Sequence, residues 1–98
     1  MKLWVDDVRP APEGYVHIFS VNQGINVIKA FPLPIDLIEV IDIDHDAGDY
    51  AADGGDYIKL LDWLEEKGYN IPIHIHSMNP VGILRMRSII KRNGWKEI

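Results

Sequence analysis

Carboxylates and imidazoles fall in three clusters, each at the end of a short apolar run. Leu3-Trp4-Val5 leads into Asp6-Asp7-Val8-Arg9. Residues 38–43 lead into Asp44-His45-Asp46. Residues 71–75 lead into His76-Ser77-Met78-Asn79. Adjacent carboxylates such as Asp6 and Asp7 repel unless a proton or cation sits between them. Their hard oxygens suit Mg²⁺ or Mn²⁺, with Asp44 as a third ligand. Alternatively, one acid faces water and the other caps a turn. A histidine between two acids, as His45 is, has its charged form favoured, which suits a general acid. Asp44 or Asp46 could instead orient it. His76 stands at its strand end and is a second acid–base candidate. His74, two residues earlier, is expected to be a core histidine. Asp42 is expected at a strand edge or rim.

Two imidazoles near an anion site point to phosphate chemistry. One histidine would activate water and the other would protonate the leaving oxygen. Asn79-Pro80 is a helix start, whose positive end favours an anion. Gly82 in the first turn would permit close approach. Arg9 could clamp a phosphate from the first loop. Ser77 could hydrogen-bond a phosphate oxygen or close a turn, and Asn79 could contact ligand or only cap the helix.

The clusters can cooperate only if the apolar runs are parallel strands of one sheet. Ligands then bind outside the carboxyl ends of the strands. The rest of the chain supports that arrangement. Residues 2–5 are a short strand, followed by a loop over 6–15 with Pro10, Pro12 and Gly14 as breakers. A strand is expected at 16–19. Ser20 and Gln23 fit a capping box for a helix over 21–30, which Pro32 and Pro34 end. Residues 37–43 read as a buried strand. Residues 47–55 form a small, acidic loop, either a lid or a plain connection, and Asp53 could cap the next helix. That helix spans 56–67, and Gly68 stops it. Residues 71–75 form a strand, 80–92 the last helix, and 95–98 a closing strand. Alternating strands and helices imply right-handed crossovers. The expected fold is α/β: a three-layer, doubly wound parallel sheet, flavodoxin- or receiver-like, with its first helix replaced by the 6–15 loop.

Composition sets the outer limits. The chain of 98 residues is one domain, with an ordinary hydrophobic share of 47% and charged share of 26%. Without cysteine there is no disulfide or thiolate chemistry. No apolar run is long enough for a membrane span, and no signal peptide precedes the first strand, so a cytosolic protein is expected. A formal charge of -5 argues against broad DNA binding. Fourteen of the fifteen acids lie at or before Glu66, while six of the ten basic residues lie from Lys67 to Lys96. An acidic face could therefore oppose a basic helix carrying Arg85, Arg87, Lys91 and Arg92, unless those residues are simply a solvated face.

KLWVDDVRPAPEGY, IDIDHDAG and IHSMNPVG occur in order over nearly the whole chain. Together they resemble three segments of the cyclic-phosphate processing receiver-like domain family of bacteria and phages. The resemblance implies a receiver-like fold and processing of cyclic phosphates, such as the 2′,3′-cyclic ends left by RNA cleavage. Its strand-one acids match Asp6 and Asp7, and its Arg-Pro matches Arg9-Pro10. Its Asp-His-Asp matches Asp44, His45 and Asp46. Its His-Ser-x-Asn-Pro matches His76, Ser77, Asn79 and Pro80, with Gly82 after it. Two segments depart from the pattern. Asp42-Ile43 stands where a small polar residue and then leucine are expected, and Ala47 where leucine is commoner; neither is expected to touch the chemistry. The lysine of ordinary receivers has no counterpart, because Lys96 sits inside a terminal strand.

The residues admit three readings. The first is a hydrolase of the phosphodiesterase type, acting on a cyclic nucleotide or RNA end. His45 and His76 would be its acid–base pair. Arg9, Ser77, Asn79 and Gly82 would hold the phosphate. Asp6, Asp7 and Asp44 would hold a cation or orient the histidines. The second is a non-enzymatic module that binds a nucleotide, a divalent metal or a partner protein. The third is a phosphoacceptor at Asp44 or Asp46.

Overall fold

The computed structural model describes residues 1–31 and 34–98. Four parallel strands form one sheet: β1 (Lys2–Val5), β2 (Tyr15–Ile18), β3 (Val40–Ile43) and β4 (Ile73–Ile75), in the order β2-β1-β3-β4. Three helices connect or follow them: α1 (Val21–Ala30), α2 (Ile58–Lys67) and α3 (Pro80–Asn93). This is the expected receiver-like α/β fold. The closing strand shrinks to a single parallel bridge between Ile73 and Glu97. Among the described residues, no helix is long and apolar enough to cross a membrane.

Strand alternation decides where the core sits. Leu3, Val5, Ile41, Ile43 and Ile73 are fully buried and share one face with Leu60, Leu61, Leu64, Met86 and Ile90 of the helices. From β2 to β3 to β4 to the bridge, each crossover moves in the same direction across the sheet. Right-handed connections therefore stack all three helices on one face. Two layers stand where three were expected. The opposite face carries Lys2, Trp4, Asp42 and His74 and bears no helix among the described residues. The loop that replaces the first helix reaches this face, where the Trp4 indole donates to the Arg9 carbonyl at 2.9 Å. His74 is accordingly exposed rather than core, with Nδ1 2.7 Å from the Ile98 carbonyl oxygen.

Local signals set most element ends. Ser20 Oγ accepts from the Gln23 amide at 3.0 Å and caps α1. Pro32, expected to end that helix, lies outside the described residues; Pro34 precedes a short 3-10 turn at Ile35–Leu37. That turn shortens the expected third strand to Val40–Ile43. Gly68 and Gly94 end α2 and α3 in the left-handed conformation, at φ 70° and 68°. Asp53 does not cap α2. Its carboxylate instead accepts from Ser20 Oγ at 2.6 Å and Asn22 Nδ2 at 3.0 Å, tying the 47–55 segment to α1. The segment itself holds a 3-10 turn at Gly48–Ala52.

The basic residues of α3 are partly paired: Arg87 with Glu97, and Arg92 with Glu65, each at 2.8 Å. Arg92 and then Asn93 pull the Glu65 carboxyl from 4.5 down to about 2. A depressed native value stabilises the fold above the unfolded value and ceases to do so as pH falls through the native one. Glu65→Gln is therefore expected to melt slightly below wild type near neutrality. The gap should close as the pH is lowered from 4.5 toward 2. Circular-dichroism melts check this, and a gap independent of pH would refute it. The pair is at the surface, so the effect is small.

Candidate active site

Register brings the clusters together. Val5 pairs with Ile43, and Ile43 with Ile75. The next residues, Asp6, Asp44 and His76, thus begin their loops side by side at the carboxyl edge of the sheet. The ladder continues into them: the Asp44 amide donates to the Val5 carbonyl at 2.9 Å, and the His76 amide to that of Ile43 at 3.0 Å.

Asp6 is fully buried. Its Oδ1 accepts from the amides of Val8, at 2.9 Å, and Arg9, at 2.8 Å. Its Oδ2 lies 2.9 Å from His76 Nε2. Burial opposes its charge, but the Arg9 and Val8 amides and His76 outweigh that, so its carboxyl lies below the usual aspartate range.

The other nitrogen of His76, Nδ1, is 2.6 Å from Asp42 Oδ1. The ring lies flat on Trp4, with centroids 4.0 Å apart and planes 4° apart. A carboxylate faces each nitrogen, so the ring is held from both sides. His76 is a clamped ring with no nitrogen left over for water.

His45 differs. Its Nδ1 is 2.8 Å from Asp46 Oδ1, and Asn79 Nδ2 donates to the same carboxylate at 3.3 Å. The His45 contact, opposed by burial and helped by a weaker hydrogen bond from Asn79, holds the Asp46 carboxyl below its ordinary range. The His45 backbone amide donates to Asp44 Oδ1 at 2.7 Å. No described group bonds to His45 Nε2, and no buried side-chain polar atom lacks a partner. Nε2 therefore reaches solvent. Asp46 and Asn79 orient one nitrogen of this ring and leave the other open.

Several expected phosphate ligands are otherwise engaged. Gly82 gives its room to His45 rather than to a phosphate: a Cβ there would lie 2.5 Å from His45 Cγ. Its amide donates to Asn79 Oδ1 at 3.0 Å, and the Ile83 amide to the Asn79 carbonyl at 2.9 Å. Pro80 has no N–H, so much of the helix start is already satisfied. Ser77 Oγ closes a turn by accepting from the Asn79 amide at 3.1 Å. Arg9 Nη1 donates to the His76 carbonyl at 3.2 Å and is exposed, so its guanidinium stays within reach of a ligand.

A cation could find donors here. One atom each of Asp6, Asp44 and His76 lie within 4.8 Å of one another, as do atoms of His45, Asp46 and Asp56. Asp7 belongs to neither group; its carboxylate lies against Gly48, where φ of 55° and the close approach both require glycine. A set of two carboxylates and an imidazole fits Mn²⁺ better than the all-oxygen set expected for Mg²⁺. Beneath the acids, burial and then Asp7, Asp6 and Asp44 push the Tyr57 phenol far up. It stays protonated and donates to the Phe19 carbonyl at 2.6 Å.

The sequence assigns no site role to Trp4, Asp42 or Asp56; Asp42, expected at an edge or rim and apart from the chemistry, instead holds His76. Parity was the available signal for Asp42. It shares a strand face with Asp44, as His74 does with His76, and an acid inside a strand needs a partner.

The family model of the cyclic-phosphate processing receiver domain matches residues 1–92. The chain belongs to that family. No curated protein and no solved structure matches it. Membership agrees with the parallel sheet and with the convergence of the three segments at its carboxyl edge. Among the described residues, the helices of this member lie on one face of its sheet.

Proposed function

We propose that the protein is a phosphoesterase that hydrolyses a cyclic phosphate, on a nucleotide or an RNA end, with His45 as the proton-transferring group. One observation carries this reading: His45 is oriented through Nδ1 by Asp46 while its Nε2 faces solvent at the carboxyl edge of the sheet. Family membership supports the phosphate chemistry. His45 takes a proton from water as the water oxygen bonds to phosphorus. A ring P–O bond then breaks, and the proton passes to the departing oxygen. Net, one water is added. The reachable Arg9 offsets part of the phosphate charge. Asp6, Asp44 and His76 would hold a divalent cation, whose chemistry is Lewis-acid polarisation of a phosphoryl oxygen.

The test incubates wild type and His45→Ala with a 2′,3′-cyclic nucleotide and a cyclic-phosphate-ended RNA, with Mn²⁺, Mg²⁺ or chelator. Wild type is expected to form product. His45→Ala should be slower by about 10²–10⁴-fold with an unchanged circular-dichroism spectrum. Equal rates would end the assignment. The capped start of α3 favours a second reading, a binding module without turnover, and binding with no product in any arm would select it.

A further inference from the structure

Asp42 lies in the interior of β3, where a β-branched apolar residue would be ordinary. Register places it between Trp4 and His74 on the helix-free face. Its side chain is only 13% exposed. A carboxylate removed from water to that degree is costly unless a partner compensates it. That partner is His76 Nδ1 at 2.6 Å, a short charge-assisted contact.

An imidazole ring has two tautomers and can flip about its Cβ–Cγ bond. Asp42 holds Nδ1 and so directs Nε2 to Asp6. Trp4, stacked at 4.0 Å, blocks rotation of the ring out of that plane. We propose that Asp42 and Trp4 are positioning residues of this site: they fix the ring of His76 so that Nε2 faces Asp6 at the sheet edge. They act through His76 and touch neither substrate nor reacting atoms. The geometry holds whether Nε2 meets Asp6 directly or shares a cation with it, because Nδ1 is committed to Asp42 in both cases. The consequence for turnover rests on the function proposed above; the geometric part does not.

The first measurement is proton NMR of the free ¹⁵N-labelled protein. A hydrogen bond this short is expected to give a far-downfield, slowly exchanging Nδ1 proton on His76. Asp42→Ala should lose that signal. Glu39→Gln, which removes an exposed acid on the strand flank, should keep it. Retention of the signal in Asp42→Ala would overturn the positioning role, active protein or not. The second measurement is kinetic. Asp42→Asn is expected to lower kcat about 100-fold with little change in KM, and Asp42→Glu to recover part of the loss. Loss of the signal with unchanged kcat would overturn the functional part of the inference. Loss of the signal in a protein whose wild type shows no turnover would sink the phosphoesterase reading and leave the geometric assignment standing.

Discussion

Asp6→Ala is expected to destabilise the protein by about 3 kcal/mol. Domains of this size have only about 5–15 kcal/mol in total. The substitution strands three donors at once: the amides of Val8 and Arg9, and His76 Nε2. Water has poor access, because the Asp6 side chain is fully buried. The melting temperature should fall by roughly 4–8 °C for each kcal/mol lost. The pH dependence is set by the direction of the Asp6 shift. Native Asp6 keeps its charge to lower pH than the unfolded chain, whose value is 3.8. Its contribution is therefore fully present above 3.8 and disappears as pH falls through the lower native value. Wild type and Asp6→Ala should converge in acid and diverge toward neutrality. Denaturant titrations at several pH values measure this. A difference below about 1 kcal/mol near neutrality would show that solvent, not Asp6, satisfies these donors.

The second large effect is at Gly82. In most helices glycine to alanine stabilises by about 1 kcal/mol. Here the sign is expected to reverse. The added methyl would lie 2.5 Å from Cγ and 2.6 Å from Cδ2 of His45. Atoms at such distances must move, and His45 cannot turn aside without losing Asp46 and Asn79. Overpacking of this kind costs about 1–3 kcal/mol. Displacing the ring by about an ångström is expected to slow turnover by about 100-fold. Thermal melts and the ring shifts of His45 test the claim without any assay of activity. An unchanged melt together with unchanged His45 shifts would show that α3 yields, and that Gly82 does not set the position of His45.

Much of the fold was legible because local rules agreed with it. Ser20 with Gln23, Asn79 with Pro80, and the glycines at 68 and 94 mark helix ends through interactions within a few residues, and α1 spans the expected 21–30. The third strand and the 47–55 segment were less legible. Proline and glycine there yield 3-10 turns at Ile35–Leu37 and Gly48–Ala52, whose short i to i+3 bonds leave little periodicity. Asp53 illustrates a further limit. A capping residue is recognised by the helix that starts just after it, yet the partners of Asp53, Ser20 and Asn22, lie more than thirty positions earlier.

The sequence by itself determined the parallel topology and the meeting of Asp6, Asp44 and His76. Strand parity and right-handed crossovers leave few other arrangements. Only the tertiary structure decided how the residues divide the work. His45 and His76 look alike along the chain, each at the end of an apolar run. One keeps an open nitrogen, whereas the other is held at both nitrogens by residues 34 and 70 positions away. Gly82 likewise reads as space for a ligand until the His45 ring fills it. The physical reason is the same in both cases. Periodicity and capping are short-range, whereas the partner of a buried polar atom is set by whichever strand the sheet places beside it.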